Sequence, residues 1–528
     1  MKRGRAVLLA GLALALDLGT AQAGGIFLGT HGARPTARGG AFVAGADDLN
    51  AIYYNPAGVV LSPSAPDGYS VLFDVGVILQ EVAYTRNDAG IERPTIVNDG
   101  GAFSGAPPII PQLAFAKSWS KPWGRLALGL GLWIPYSGLS RYPEGSYDTE
   151  EARRQVPDTA PQRYQLIGLH DGAIQRSTLM AVLNPVASVS LLGDKLQLGV
   201  GPQLMLFYFR AKLMLNGCPQ VMCAPENPDY DALGAIQAVS LLPSLNLGAI
   251  YRPVLPLRIG LSFQLPMLVR SLYGRIDTRL PASELFNEAS VSGQDAKLAL
   301  NLPPILRVGA ELALWQNRLR IELAYTAEFW SVLERVTVEA QGVTLSNVKG
   351  FDSYQLGPVA IDLRMRTTHA VHLGFEAEVW KYIGLRAGGL FESGAVPDAT
   401  FSLFAPDSTK GMIALGAFVP SVKLGSALWR FDVGYARILS PDRVIAPEDS
   451  QLAPQNPIRP DLGLAPGQGG VGAGRYQVGY TTGSTGPPRA PSSSGPRRPG
   501  SGSTRCPCGG SPRPRRGTRL RPGRRAAP

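Results

Sequence analysis

Short and long connections alternate strictly along this chain, with amphipathic segments between them. A strand-rich chain that collects its short turns at one end and its long loops at the other is typical of an up-and-down β-barrel in a bacterial outer membrane. In such a barrel, one face of each strand meets lipid and the other lines a lumen. Tight connections are predicted at 119–124, 192–195, 253–256, 315–318, 380–383 and 423–427. Long polar connections are predicted at 87–108, 138–175, 216–233, 275–292, 336–365, 395–408 and 443–473.

The evidence for strands is hydrophobic alternation with a period of two residues. Between Leu126 and Trp133, every second residue is leucine and the others are Ala127, Gly129, Gly131 and Trp133. We predict that the leucine set faces lipid. A soluble sandwich gives the same alternation over a core, but the loop asymmetry and the number of strands favour a transmembrane barrel. Fourteen antiparallel strands are predicted, at 69–86, 109–118, 125–137, 176–191, 196–215, 234–252, 257–274, 293–314, 319–335, 366–379, 384–394, 409–422, 428–442 and 474–482.

Tryptophans cluster near the predicted short turns. An indole ring suits a membrane interface because it buries its ring while its N–H stays hydrated. The alternative is chance placement. The residues are Trp119, Trp123, Trp315, Trp380 and Trp429.

The first residues read as an export signal. Lys2, Arg3 and Arg5 precede an apolar run, and Ala21-Gln22-Ala23 is a small-residue cleavage site. We therefore expect residues 1–23 to be a signal peptide. No later run reaches about 18 apolar residues, so no helical membrane span is expected.

The net charge of +11 misleads, because residues 481–528 contain eleven arginines, no lysine and no acid. The rest of the chain is near neutral, which gives no reason to expect a nucleic acid partner. We predict that residues 483–528 are a disordered Arg- and Pro-rich tail. One interpretation of this tail is an out-of-frame reading of a GC-rich gene. The other is a genuine extension that lies on anionic surfaces.

Residues 24–68 precede the first predicted strand and do not alternate. Their apolar content argues for a plug in the lumen, since a free tail would be more polar. A barrel of about fourteen strands also has a lumen too wide for its own side chains to fill. The segment is therefore predicted to be an N-terminal hatch, with the barrel at 69–482.

Four short stretches resemble the FadL-type family of long-chain fatty acid and aromatic hydrocarbon transporters of the outer membrane. The first is GGAFVAGADDLNAIYYNPAG, from Gly39 to Gly58, which is similar to the family's hatch. The others are GLWIPYSG at 131–138, Trp330-Ser331, and LRAG at 385–388 followed by VPD and APD. In this order along residues 24–480, the four together are more specific than any one alone.

The resemblance implies hatch or gate roles for Asp47, Asp48, Asn55, Pro56 and Ala57. Asn-Pro is a turn signal, since the Asn side chain bonds nearby backbone and Pro fixes φ. In a plug this turn could lock the hatch to the wall, and the alternative is an ordinary surface turn. The two aspartates could meet arginines of the lumen, or equally cap a short helix.

The resemblance also implies a kink that opens a lateral window in the third strand, with Gly129, Gly131 and Pro135 as candidates. Glycine inside a strand marks a bend or a close approach. The alternative for the two glycines is clearance for the plug.

No catalytic or metal-binding pattern stands out. His170 and Ser177 are near in sequence but nothing orients them, so we predict that the protein is not an enzyme and has no cofactor. Cys218 and Cys223 share one loop and are candidates for a small disulfide after export.

The predicted function is passive uptake of long-chain fatty acids or similar hydrophobic compounds by loop capture, hatch rearrangement and lateral exit. The expected partners are these compounds and the lipid and lipopolysaccharide of the outer membrane, with the protein as a monomer. The alternatives are a surface-binding barrel, such as an adhesin or receptor, and a general diffusion porin.

Overall fold

The computed structural model describes most of the barrel and most of the predicted hatch. The predicted signal peptide, residues 24–28, His170, both cysteines of the predicted disulfide and the tail after residue 482 lie outside the described residues. The described residues are 29–62, 67–88, 91–92, 96–97, 109–141, 172–217, 230–446, 448–452, 458 and 474–481.

The described chain is mostly antiparallel sheet. Helical structure is limited to α1 (Ala33–Ala37), α2 (Ala51–Tyr54) and 3-10 turns at Pro56–Leu61, Glu284–Phe286, Trp330–Val332 and Asp398–Thr400. None of the helices in the described part of the chain is long and apolar enough to cross a membrane. The strands are β1 (Tyr69–Val77), β2 (Leu79–Asp88), β3 (Ile91–Glu92), β4 (Ile96–Val97), β5 (Ile109–Lys121), β6 (Gly124–Arg141), β7 (Gly172–Leu191), β8 (Leu196–Asn216), β9 (Asp231–Val254), β10 (Leu257–Gln264), β11 (Met267–Arg279), β12 (Ser290–Ser292), β13 (Asp295–Leu302), β14 (Ile305–Leu314), β15 (Leu319–Glu328), β16 (Arg335–Gln341), β17 (Thr344–Val348), β18 (Phe351–Gln355), β19 (Val359–Asp362), β20 (Thr368–Trp380), β21 (Ile383–Glu392), β22 (Lys410–Leu424), β23 (Ala427–Leu439), β24 (Arg443–Ile445) and β25 (Gly474–Thr481).

The strands follow each other around a wall in chain order. β1 pairs with β5, and the ladder runs through β6, β7, β8 and β9 to the β10/β11 segment. It continues through β13/β14 and β15/β16 to β20, β21, β22 and β23. β25 then pairs with β2, which continues directly from β1. Counting β1/β2 as one strand, the wall has the fourteen strands that the alternation predicts, and the up-and-down barrel is confirmed.

Four of the predicted strands are interrupted, which corrects their boundaries. Two breaks coincide with Leu265-Pro266 and Pro303-Pro304, because proline has no N–H to give to a ladder. A third lies at Ile78, and the fourth is the 3-10 turn Trp330–Val332, which ends β15 early. The prediction that 336–365 is a polar loop was also wrong, since it holds β16 to β19.

The short turns mark one end of the barrel, here called the inner end. All six lie where the sequence predicts them, and the long connections leave the opposite, outer end. Trp123, Trp315, Trp380 and Trp429 are 50 to 74% exposed beside these turns, and Trp119 is half-buried. Their placement agrees with an aromatic belt at one membrane interface.

Side chains alternate between the two faces of the wall. In β20, Val371, Leu373 and Phe375 are exposed on the outside, while His372 and Glu376 are buried toward the lumen. The outward set is apolar in the other wall strands too, as a lipid-facing surface requires. Polar and charged side chains are therefore concentrated inside.

The wall is less complete at its inner end. β25 pairs with β23 only at Arg437↔Thr481, and β1 has β5 as its partner. Among the described strands, the remaining edges of β1 and β23 have no partner toward the inner end, and a cleft of about 1540 Å³ lies between them. The chain that follows Thr481 lies outside the described residues.

Candidate functional site: the hatch and the lumen

Residues 29–62, called the hatch from here on, fold inside the barrel. A left-handed turn at Gly39 and Gly40, with φ of 65° and 81°, follows α1 and reverses the chain. The 3-10 turn Pro56–Leu61 begins at Asn55, whose Oδ1 accepts the N–H of Ala57 at 3.2 Å. Proline at the first position of this turn leaves no orphan donor. Local sequence thus determines both turns of the hatch, the one at Gly39-Gly40 and the one that follows Asn55.

Aromatic side chains fill the centre of the hatch and reach the wall. The ring of Tyr53 lies 4.4 Å from that of His31, 4.7 Å from that of Tyr54 and 4.6 Å from that of Trp133 on β6. These contacts are edge-on, the favoured geometry for aromatic pairs. Burial of Phe42 and Ile52, both at most 1% exposed, agrees with the plug that the apolar content predicts.

The hatch backbone rests on glycines of the wall, here called the glycine belt. Besides Gly131 of β6, eight wall strands each present one glycine at which an added Cβ would lie only 2.1 to 3.0 Å from a hatch atom. Because a real Cβ cannot approach so closely, glycine alone allows this contact. The belt consists of Gly199, Gly248, Gly260, Gly309, Gly374, Gly388, Gly416 and Gly434.

Asp47 contacts arginines of the lumen wall, as one of the two interpretations of the sequence predicts, whereas Asp48 contacts an arginine of the hatch itself. Asp47 accepts from Arg34, Arg258 and Arg320 at 2.8, 3.0 and 2.7 Å. Asp48 pairs with Arg34 at 2.9 Å and also accepts the backbone N–H of Asn50 at 2.8 Å. Asp47 therefore joins hatch to wall, while Asp48 shapes the turn before α2.

A second ionic contact lies deeper and was not predicted. The Arg38 guanidinium donates to Glu311 and Glu322 at 3.0 and 2.9 Å, and none of the three side chains is exposed. Glu322 also accepts the backbone N–H groups of the hatch loop that follows Phe42, at 2.6 to 3.1 Å. The Glu322 carboxylate thus has both charged and backbone donors, which a buried charge requires.

These contacts form one network of six arginines and six carboxylates. Its hatch members are two arginines and two aspartates, and its wall members are four of each charge, so both sides are neutral. The sequence signal that could have found it is charge at lumen-facing positions of membrane strands. The wall members are Arg258, Glu311, Arg320, Glu322, Glu376, Arg386, Arg430 and Asp432.

The network fixes the charge of the hatch groups. Burial by itself would raise the pKa of Asp47, but the guanidinium groups of Arg320, Arg34 and Arg258 hold it well below its usual range. Burial likewise opposes the charge of Arg34, but Glu376, Asp47 and Asp48 raise the pKa of that guanidinium well above normal. Both groups are therefore ionised at neutral pH.

Asn55 and Pro56 lie against the wall and not on the surface. The Asn55 amide donates to Val43 O at 2.9 Å and to Ala249 O of β9 at 3.1 Å, and the residue is fully buried. Ala57 is also fully buried, with its N–H next to Gly199 of the belt. One amide side chain thus connects two parts of the hatch with the wall.

The window candidates occupy two different environments on β6. Gly129 and Gly131 lie in a continuous ladder with β5 and β7, and an added Cβ would meet Val59 at 3.3 Å and Ile52 at 2.8 Å. These two glycines give clearance to the hatch. Pro135 lies in an irregularity of the β6–β7 ladder, between Trp133 and Tyr136.

The wall splits beside Pro135. β5 and β6 pair only as far as Leu113↔Leu132, although both strands continue toward the outer end. Within the described residues, Ile109–Gln112 pair with β1 but have no partner on β6. Gln112 donates from this point to Asn50 of the hatch at 3.1 Å, so the split opens next to the hatch.

On the outer side of the hatch, the part of the lumen lined by β7 and β8 is apolar. Met205, Phe207 and Phe209 of β8 point inward and are at most 7% exposed, as are Met180 and Val182 of β7. Nearer the inner end, the same two strands present Gln197, Ser188 and Ser190. Along these two strands, the change from polar to apolar falls at the level of the hatch.

Side chains that could bind a metal do not converge here. In the residues that the structure describes, no three His, Cys, Asp or Glu side chains are grouped so that they could hold an ion. The two aspartates of the hatch are instead paired with arginine.

Comparison with known proteins identifies one family and several solved structures of similar fold. The family model described as Outer membrane protein transport protein (OMPP1/FadL/TodX) matches residues 178–462, more than half of the chain. A FadL homologue from Pseudomonas aeruginosa is similar in structure, with a TM-score of 0.62, 16% identity, and coverage of 87% of this chain and 96% of that one.

Two further solved structures are similar. The Pseudomonas putida toluene transporter TodX has a TM-score of 0.54 and 14% identity, covering 81% of this chain and 95% of that one. The CymD monoaromatic hydrocarbon channel has a TM-score of 0.50 and 15% identity, covering 77% and 93%. At such identities the likeness is one of fold. No curated protein matches the sequence.

Proposed function

Because the chain belongs to the outer membrane protein transport family (OMPP1/FadL/TodX), whose members carry hydrophobic compounds across the outer membrane, we propose that it takes up long-chain fatty acids or similar hydrophobic compounds without an energy source. Lipopolysaccharide excludes apolar molecules, and a water-filled pore gives them no favourable solvent. A protein route needs apolar surface along the way, worth roughly 0.8 kcal/mol per buried methylene.

The observation that carries this proposal is the apolar part of the lumen wall on the outer side of the hatch. A diffusion porin needs a polar, water-filled lumen. Here Met205, Phe207 and Phe209 point into the lumen instead, with Leu298 and Leu302 of β13 likewise buried. This lining favours an apolar cargo over the porin alternative.

The proposed route begins at the outer connections. A narrow cavity there is lined almost only by apolar side chains, among them Leu215, Ile276, Val338 and Leu345. The cargo then moves to the hatch, which rearranges and lets it leave sideways through the split between β5 and β6. We expect the protein to work as a monomer among lipids and lipopolysaccharide.

The substrate is tested by uptake. Cells with and without the gene are given a labelled long-chain fatty acid, and in parallel labelled toluene, since relatives of this fold are named as toluene transporters. Faster uptake of either compound with the gene supports the proposal and assigns its class. Equal rates for both compounds would remove the substrate claim.

Hatch rearrangement is tested at the Asn55–Pro56 turn. Replacing both residues with Ala removes the amide bonds to Val43 and Ala249 and frees φ, so uptake should change. Ser62→Ala, at the half-buried end of the hatch, is the control. Unchanged transport in the double variant would show that the turn is not part of the gate.

Lateral exit is tested by stapling the split. Continuing the register from Leu113↔Leu132 sets Pro111 opposite Ile134. Cysteines at Pro111 and Ile134, joined by a short crosslinker, should stop uptake of a compound that leaves sideways. The same crosslink between Leu113 and Leu132, which are already paired, should have little effect. Transport through the stapled split would refute lateral exit there.

A further inference from the structure

The connection between β21 and β22, residues 393–409 and called the inward loop from here on, enters the barrel. An outer connection of a membrane barrel normally extends into water. In the inward loop, Ala395 and Phe401 are fully buried, and Leu403, Phe404 and Ala405 are at most 7% exposed. A polar loop was predicted at 395–408, but its apolar residues lie inside.

The inward loop closes off the apolar lumen above the hatch. The ring of Phe404 lies 6.3 Å from that of Phe209 on β8, which stacks on Phe207 at 6.2 Å. The same buried cluster includes Trp133 and Tyr53, the residues where hatch and wall meet. A compound that arrives from the outer side therefore meets the inward loop before it reaches the hatch.

One guanidinium holds both ends of the inward loop. Arg443 of β24 donates from Nη2 to Val396 O and from Nη1 to Asp407 O, both at 2.7 Å. Its Nε donates to Asp398 Oδ1 at 2.6 Å, and the group lies 4.2 Å from the centroid of the Phe401 ring. Arg443 belongs to a different outer connection, so it ties the inward loop to its neighbour.

Other outer segments meet at the same loop. Thr400 Oγ1 donates to Leu363 O at 2.6 Å, and the N–H of Gln451 donates to Ala399 O at 2.8 Å. Arg364 in turn donates to the Gln451 side chain at 2.7 Å. Three outer connections are thus joined by a few polar contacts, and most of these contacts are near the outer surface.

We propose that the inward loop is an outer gate, separate from the hatch, and that Arg443 is its latch. The latch is a positioning residue that acts through the loop. Its donors go to backbone carbonyls and one exposed carboxylate, so release of Arg443 from the loop leaves no buried carboxylate without its partner. An apolar compound that displaces Phe404 would itself cover the Phe209 ring. The role in uptake rests on the proposed function, whereas the opening of the loop does not.

The gate is tested by the accessibility of Phe404. In the full chain with its four cysteines replaced by Ser, Phe404→Cys is exposed to a membrane-impermeant maleimide on intact cells. Labelling should be slow. Adding Arg443→Ala should speed it by about tenfold, equivalent to about 1.4 kcal/mol of gate stabilisation.

Arg335→Ala is the matched control. Arg335 lies on β16 at the outer end, is 59% exposed and pairs with Asp362 at 3.3 Å. It should leave the labelling rate unchanged. If Phe404→Cys does not fold, Ala405→Cys, in the same buried cluster, replaces it. Equal slow labelling with and without Arg443 would overturn the latch.

A second experiment fixes the gate shut. Cysteines at Asp398 and Arg443 are joined by a short cleavable crosslinker, and uptake of the compound found active above is measured. Uptake should fall about tenfold and return after cleavage, an effect on access of about 1.4 kcal/mol. Full uptake through the crosslinked loop would overturn the gate. The labelling result stands apart from uptake, so failure of the proposed function and failure of the gate are told apart.

Discussion

Glu322 lies in the middle of a wall strand, and its carboxylate accepts hydrogen bonds from four donors of the hatch. A charge at this depth is stable only because Arg38 and three backbone N–H groups replace its hydration. The carboxylate of Glu322 therefore anchors the hatch loop to the wall. Its alternation with Leu323 predicts that it faces the lumen, but no local pattern reveals its partners, which are more than 270 residues away in sequence.

Removing the charge of the Glu322 carboxylate should destabilise the contact between hatch and wall. Glu322→Gln keeps the shape of the side chain but leaves Arg38 with one carboxylate partner. We expect the hatch to lose about 3 kcal/mol of stability, which raises the equilibrium constant for its local opening roughly a hundredfold. Hydrogen exchange at the amides of Val43 and Ala44 measures it. Glu378→Gln, on an exposed carboxylate of β20, is the control. Protection equal to the unchanged chain would contradict the role of Glu322.

Acid should release the hatch only at very low pH. The pKa of Asp47 is depressed in the folded chain, so its stabilising contribution is complete above its unfolded pKa and is lost as pH falls through the folded value. The protection of the hatch amides from hydrogen exchange should thus stay constant from pH 8 to about 5. It should be lost only at pH values well below about 4. In Asp47→Asn this contribution is absent at all pH values. Loss of protection already near pH 6 would show that other groups control it.

At the level of strands and turns, the hatch and the wall fit through the glycine belt. The alternation predicts which residues face inward, and so it finds Gly129 and Gly131. It does not reveal that the hatch backbone passes next to Gly388 or Gly434, since that depends on how the hatch folds. The strand breaks were likewise only partly predictable from the sequence. Those at Leu265-Pro266 and Pro303-Pro304 are marked by proline, whereas the other two have no local sequence signal.

A single methyl group in the belt should displace the hatch. In Gly388→Ala the new Cβ would lie 2.1 Å from the carbonyl carbon of Arg38, and backbone cannot move aside as a flexible side chain does. We expect a loss of about 1–3 kcal/mol, seen as a lower thermal midpoint and faster exchange in α1. Gly76→Ala meets its neighbours at 3.8 Å or more and should change neither measurement. Equal stability of the two variants would mean that the belt is not tightly packed.

For the whole molecule, the sequence predicts the barrel, its fourteen strands and the turn positions, because lipid imposes the same alternation on every strand. It does not predict where the lumen changes from polar to apolar. That change depends on which inward-facing residues lie at the same height along the barrel axis, and the register between neighbouring strands determines that height. Phe207 and Phe209 lie at the same level as Phe404 although almost two hundred residues separate them.

The apolar part of the lumen around Phe207, Phe209 and Phe404 should determine which compounds are transported. Phe209→Asn sets an amide with no partner beside Phe207 and Phe404, so uptake of an apolar compound should fall about tenfold, equivalent to about 1.4 kcal/mol. Phe209→Leu keeps the level apolar and should retain most of the uptake. Labelled uptake in cells compares the two. A similar loss in both variants would point to shape and not polarity.

The charge balance between hatch and wall has a consequence for any pore that forms when the hatch departs. Because the hatch takes away two arginines and two aspartates, the wall members of the network are left as four positive and four negative side chains able to pair with each other. Such an emptied channel would let cations and anions through almost equally. In a planar bilayer with a salt gradient, a variant lacking the hatch should then reverse its current close to zero millivolts.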